Sequence, residues 1–152
     1  MNYVAVNRDR LNPQALRTPL LWAGENGHTE LVKLLMRRED VQLDATDFRE
    51  QTPLFSTVLN GHEGGVRLRL SGHDINSNSL DNSGETPLSV AITRGQVEMV
   101  NVLLDRKDII LNRLGTAGFS AIYLATWCGH EEILRILLVR ADVDPKLQTG
   151  NG

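Results

Sequence analysis

Four histidines and one cysteine are the first residues of this chain to weigh as metal ligands or nucleophiles. His28, His62 and His130 each follow a glycine, and Cys128 lies two positions before His130. A nucleophilic thiolate needs a positioned base, and zinc needs several converging ligands. Positions i and i+2 of a helix do not face each other, so His130 is badly placed to activate Cys128. A single cysteine cannot build a zinc cluster of the usual composition. His73 stands in a polar stretch without an obvious partner. Gly61-His62-Glu63-Gly64-Gly65 is glycine-rich, but it lacks the lysine and the preceding strand of a phosphate loop. These residues point to no catalytic site, no cofactor and no metal.

The histidines recur because a larger unit recurs. Hydroxyl residues fall at Thr18, Thr52, Thr86 and Ser120, each 34 positions after the last. Gly27, Gly61, Gly95 and Gly129 keep the same step, and so do Val32, Val66, Val100 and Leu134. Three registers holding one period over four copies mark a repeat protein. Each copy predicts two short helices. Thr-Pro supplies a hydroxyl N-cap followed by a residue whose fixed φ suits the first helical position. The glycine can take the left-handed conformation that ends the first helix. Glu30, Glu98 and Glu132 then favour the start of the second helix. Its apolar positions, such as Leu31, Val32, Leu34, Leu35 and Met36, are too many for a narrow stripe. They suit a helix packed by neighbouring copies on both sides. Polar stretches such as 44–51 and 78–85, rich in Asp, Asn and Gly, predict projecting hairpin-like fingers with very short strands.

Thr-Pro-Leu, then Ala, then Gly-His, then a Val-x-Leu-Leu-type helix resembles the ankyrin repeat. The resemblance covers roughly residues 17–144. The copy beginning at Thr18 is similar to repeats of large fungal ankyrin arrays. The resemblance implies an all-α ankyrin-repeat solenoid of four helix-turn-helix units with projecting finger loops, at about 17–50, 51–84, 85–118 and 119–144. Residues 1–16 resemble the finger of an upstream copy, and 145–152 read as a flexible tail. The first helix pair, with Leu20, Leu21, Trp22, Leu31 and Leu35, lacks the polar adjustment of a capping repeat. A piece of a longer array, or a product descended from one, is the expectation, with a self-associating end face as the other reading.

The copies are unequal. The family's histidine after Thr-Pro-Leu is replaced by Leu21, Phe55, Ser89 and Tyr123, so its usual hydrogen-bond network is not expected. Repeat two carries Gly64 and Gly65 inside a helix, Thr57 in place of alanine, and Arg69 where the others hold leucine. Two helix glycines cost about 2 kcal/mol before lost packing is counted. Arg69 must reach water or find an acid. Drift of one redundant copy and a functional hinge are both open. Repeat four begins with Ser120-Ala121 instead of Thr-Pro, and Gly115 replaces the finger aspartate.

The bulk properties agree with one soluble domain. The chain of 152 residues has a net charge of −3 with both signs scattered, which gives no electrostatic reason to propose nucleic acid or membrane. It has no apolar stretch of signal or membrane-span length, and one cysteine excludes an intramolecular disulfide. A cytoplasmic or nuclear setting is expected, with a protein partner of unknown identity and a monomeric state.

The resemblance implies binding through a concave face made by fingers and first helices, without catalysis. Carried over position by position, it selects Phe48, Arg49, Gln51, Leu59 and Asn60 in repeat two, and Asn82, Ser83, Glu85, Thr93 and Arg94 in repeat three. Repeat four contributes Thr116, Phe119 and Trp127. The flanks of repeat one add Arg17, Glu25 and Asn26. Aromatic residues at such positions suit binding hot spots. Phe119 and Trp127 packing on each other is the competing reading. The alternative function is a sensor or regulatory segment of a larger multidomain protein, such as a nucleotide-binding receptor with an ankyrin tail.

Overall fold

The computed structural model describes residues 17–72, 75–111 and 119–140. Their regular elements are eight helices in four pairs: α1 Pro19–Glu25 and α2 Thr29–Met36, α3 Pro53–Leu59 and α4 Glu63–Leu70, α5 Pro87–Thr93 and α6 Val97–Leu104, α7 Ala121–Trp127 and α8 Glu131–Val139. First helices stack on first helices, α1 on α3 on α5 on α7. Second helices stack likewise, α2 on α4 on α6 on α8. The stack is the expected helical solenoid. The expected short strands are absent among the described residues, and the fingers are turns. The segments 1–16 and 145–152 lie outside the described residues, as do His73 and Gly115.

Each first helix starts as its hydroxyl residue dictates. Thr18, Thr52 and Thr86 accept the backbone N–H three residues on, at 3.2, 3.2 and 3.0 Å. Ser120 does the same for Tyr123 at 3.2 Å, so replacing Thr-Pro with Ser-Ala leaves the cap in place. Gly27 and Gly95, at φ 70° and 67°, end their helices in the left-handed region. They also seat a histidine from the next repeat: a Cβ at Gly27 would lie 2.6 Å from His62 Nδ1, and one at Gly95 2.7 Å from His130 Cε1.

The core lies between the two layers of helices. A large cluster runs from Leu54 through Val66, Ile92, Val100 and Leu103 to Ile133 and Leu137. Leu20, Ala23 and Val32 of repeat one form a separate small cluster. The division falls where repeat two departs from the pattern. Arg69 is fully buried there. Of the two expected outcomes, water or an acid, it does not reach water: its Nη2 donates to Leu43 O at 2.7 Å, Nε and Nη1 are buried without a partner, and the acid whose charge acts on it is Asp44. Burial pushes its pKa down to about 10, and the charge of Asp44 opposes the shift. The helix α4 forms despite its two glycines.

Candidate functional site

In each repeat the residue just before the N-cap, position i, is followed on the first helix by residues i+4 and i+8, which the helix places on one face as a row. In repeat four that row is Phe119, Tyr123 and Trp127. Phe119 stacks on Tyr123 at 4.7 Å between centroids, with planes 12° apart. Tyr123 stacks on Trp127 at 6.0 Å and 21°. Phe119 and Trp127 therefore do not simply pack on each other, because Tyr123 stands between them. Phe119 is half-buried, whereas Trp127 is 76% exposed. Tyr123 was missed as part of this row. Its four-residue spacing from both neighbours was the available signal.

The same register carries different chemistry in the other repeats. In repeat one, Arg17 and Glu25 close an ion pair at 2.6 Å. Repeat two places Gln51, Phe55 and Leu59 there, with Phe55 buried and Leu59 half-buried. In repeat three, Ser89 Oγ donates to Glu85 Oε2, and Thr93 is exposed. Asn60 and Arg94 are exposed at the following position. The Asn60 amide donates to Ser56 O at 2.8 Å.

The fingers are held by aspartates. Asp47 Oδ1 accepts the N–H groups of Arg49 and Gln51 at 2.8 and 3.0 Å. Asp81 Oδ1 accepts from Ser83 N, Ser83 Oγ and Glu85 N at 3.0, 2.7 and 2.9 Å. Burial disfavours the charge of Asp81, but these donors together with Gln51 outweigh it and hold its pKa below the usual carboxylate range. The fingers also bond to each other. Asn82 N donates to Arg49 O at 2.9 Å, and Thr52 Oγ1 lies 3.1 Å from Ser79 Oγ. Gln51 is buried, with Nε2 donating to Asp81 Oδ2 at 3.4 Å, so its side chain links fingers instead of facing solvent.

Phe48 is 43% exposed, with the Arg49 guanidinium 5.3 Å from its ring centroid. Beside it lies an open groove of about 610 Å³ lined by Asp44, Asp47, Phe48, Glu50 and Leu80 among others. Asn82 and Ser83 are exposed at the tip of the second finger. Thr116 lies outside the described residues. Phe48, Arg49, Asn60, Asn82, Ser83, Thr93, Arg94 and Trp127 are therefore exposed, while Leu59, Glu85 and Phe119 are half-buried.

The histidines of the Gly-His step join repeats. His62 Nε2 donates to Glu25 O at 2.8 Å, and His130 Nε2 to Thr93 O at 3.3 Å. A carbonyl can only accept, so these bonds place the proton on Nε2. A second inter-repeat link was missed. Arg106 grips Asp108 with Nε and Nη2 at 2.7 and 2.9 Å, and its Nη1 donates to Leu70 O and Gly72 O of the preceding repeat. Arg140 Nη1 reaches Leu104 O at 2.8 Å in the same way. The signal was the recurrence of Arg38, Arg106 and Arg140 on the repeat step, broken at Gly72.

Among the described residues no group of three or more His, Cys, Asp or Glu side chains gathers to hold a metal. No described helix is long and apolar enough to cross a membrane. A family model for ankyrin repeats (3 copies) matches residues 3–79 and 65–149. The chain belongs to the ankyrin repeat family, whose repeats generally mediate protein–protein interaction and are typically non-catalytic. No curated protein matches the chain significantly.

Proposed function

We propose that this chain binds a partner protein through the surface made by its fingers and first helices, with Trp127 as the principal anchor. The observation that carries the reading is the Phe119–Tyr123–Trp127 stack, which ends in an indole 76% exposed. Burying a rigid aromatic on binding removes much apolar area at little entropic cost, and tryptophan is enriched at hot spots. The row is already ordered by its own stacking, which lowers the cost of association further. Phe48, with Arg49 over its ring, is the second contact region, and Asn60, Asn82, Ser83, Thr93 and Arg94 form the polar surface between.

The test is affinity purification with mass spectrometry, comparing wild type with the Phe48/Phe119/Trp127 triple alanine variant. Proteins captured by the first and lost by the second are the specific partners. With a partner in hand, Trp127→Ala should weaken binding by about 30-fold, the roughly 2 kcal/mol of a hot spot. Thermal unfolding of Trp127→Ala should match wild type, because the indole is largely in solvent. Unchanged affinity in that variant would sink the anchor role. A regulatory segment of a longer multidomain protein would use the same surface, and the full reading frame of the gene separates the two settings.

A further inference from the structure

Among the described residues, the inter-repeat interface has a face without a neighbour on repeat one. In repeats two to four the positions equivalent to Trp22 are Ser56, Val90 and Leu124, all buried. Those equivalent to Leu31 are Gly65, Met99 and Ile133, again buried. Trp22 is 48% exposed and Leu31 47%. Pro19 is exposed where Pro53 and Pro87 are buried, and Leu34 is 58% exposed. An open hollow of about 490 Å³ lies against Trp22, His28 and Leu31.

Two donors on this repeat match donors that cross the boundary elsewhere. His62 and His130 reach a carbonyl 37 positions earlier. His28, in the same register, instead rests its ring 5.1 Å from Trp22. Arg106 and Arg140 use Nη1 to reach a carbonyl 36 positions earlier. Arg38 holds Asp40 through Nε and Nη2, as Arg106 holds Asp108, which leaves Nη1 in the equivalent place.

Repeat four offers the complement. The acceptor carbonyls Glu25 and Thr93 stand at the register of Trp127, and Leu70 and Leu104 at that of Leu138. Leu138 is 54% exposed, although Leu104 at its register is buried.

We propose that a second copy of this chain stacks head to tail, with the α7–α8 pair of one molecule against the α1–α2 pair of the next. The new contact continues the interface already present between repeats. Pro19, Trp22, Leu31 and Leu34 meet repeat four of the neighbour, His28 donates to Trp127 O, and Arg38 donates to Leu138 O. Such a contact is heterologous and does not close, so it builds linear chains.

The experiment is light scattering or sedimentation velocity over a range of protein concentration, with reductant present to keep Cys128 from cross-linking. Wild-type mass should rise steadily with concentration. Leu31→Lys blocks the head and Leu138→Lys blocks the tail, so each variant alone should stay monomeric. Mixed together, they should form a one-to-one dimer and stop there, because one free head meets one free tail. Leu34→Lys gives a second head variant should the first fold poorly. A wild-type monomer at every concentration, or a dimer that survives Leu138→Lys, would overturn the proposal.

Discussion

Thr57 and Gly65 are complementary in shape: a Cβ on Gly65 would lie 2.8 Å from Cγ2 of Thr57. Thr57 is fully buried, with its hydroxyl donating to Pro53 O, and it also crowds Gly24 of the preceding repeat. The threonine and the glycine, two separate defects by pattern, are one packing solution. A larger side chain on α3 is accommodated by a missing one on α4.

Gly65→Ala should accordingly destabilise the protein by about 1 kcal/mol, although alanine is ordinarily the better helix former by a similar amount. In a Thr57→Ala background the sign should reverse, with alanine at 65 stabilising by about 1 kcal/mol. Urea unfolding of the four proteins in this cycle measures the coupling. Additive effects would show that the two sites do not touch.

Arg69 is a cation buried with two donors unmet. Leucine fills the same position in the other three repeats, at Leu35, Leu103 and Leu137. Arg69→Leu should therefore raise stability by about 1–4 kcal/mol, since apolar replacement removes the desolvation cost. Chemical denaturation reads this directly, and a less stable leucine variant would contradict it. In the wild type, α4 should be the least protected helix in hydrogen exchange. Protection equal to that of residues 31–36 would refute the weak-junction account.

Glu50 is a non-glycine residue at φ 61°, in the finger position that Gly84 occupies at φ 75°. A side chain in that region costs about 1–2 kcal/mol, partly offset by the greater chain entropy that glycine loses on folding. Glu50→Gly should give a net gain of about 0.5–1 kcal/mol, visible as a higher Tm. A lower Tm would mean that the glutamate side chain makes a stabilising contact.

Asp81 has a folded-state pKa below its unfolded value, because Ser83, Glu85 and Gln51 donate to its charged form against the penalty of burial. Its contribution to stability is fully present above the unfolded value of about 3.9 and is lost as pH falls through the folded value. The Tm of wild type should fall across that acid window more steeply than the Tm of Asp81→Asn. Parallel acid curves for the two proteins would remove Asp81 as a source of the pH dependence.

Much of the architecture was legible from Thr18, Thr52, Thr86 and Ser120, from the glycines that follow, and from the apolar positions between them. Caps, left-handed turns and helical periodicity are local, so residue types at a fixed step were enough to place every described helix. The exposed fingertips and Trp127 were legible for the same reason. Gln51 was not, because its burial depends on Asp81, a residue in a different finger. Arg69 was recognised as a problem, but its solution depends on the carbonyl of Leu43, which only the stacking of repeats brings near. Tyr123 read as a lost histidine until the helix aligned it between Phe119 and Trp127.

By itself, then, the sequence determined the repeat, its helix pairs and its family, because each rests on interactions within a few residues along the chain. The tertiary structure decided which repeats pack well, which histidine meets which carbonyl, and which apolar residues of repeat one are left in solvent. Those outcomes arise between copies about one repeat apart. At that separation it is the stacking geometry, and not local propensity, that sets which atoms meet.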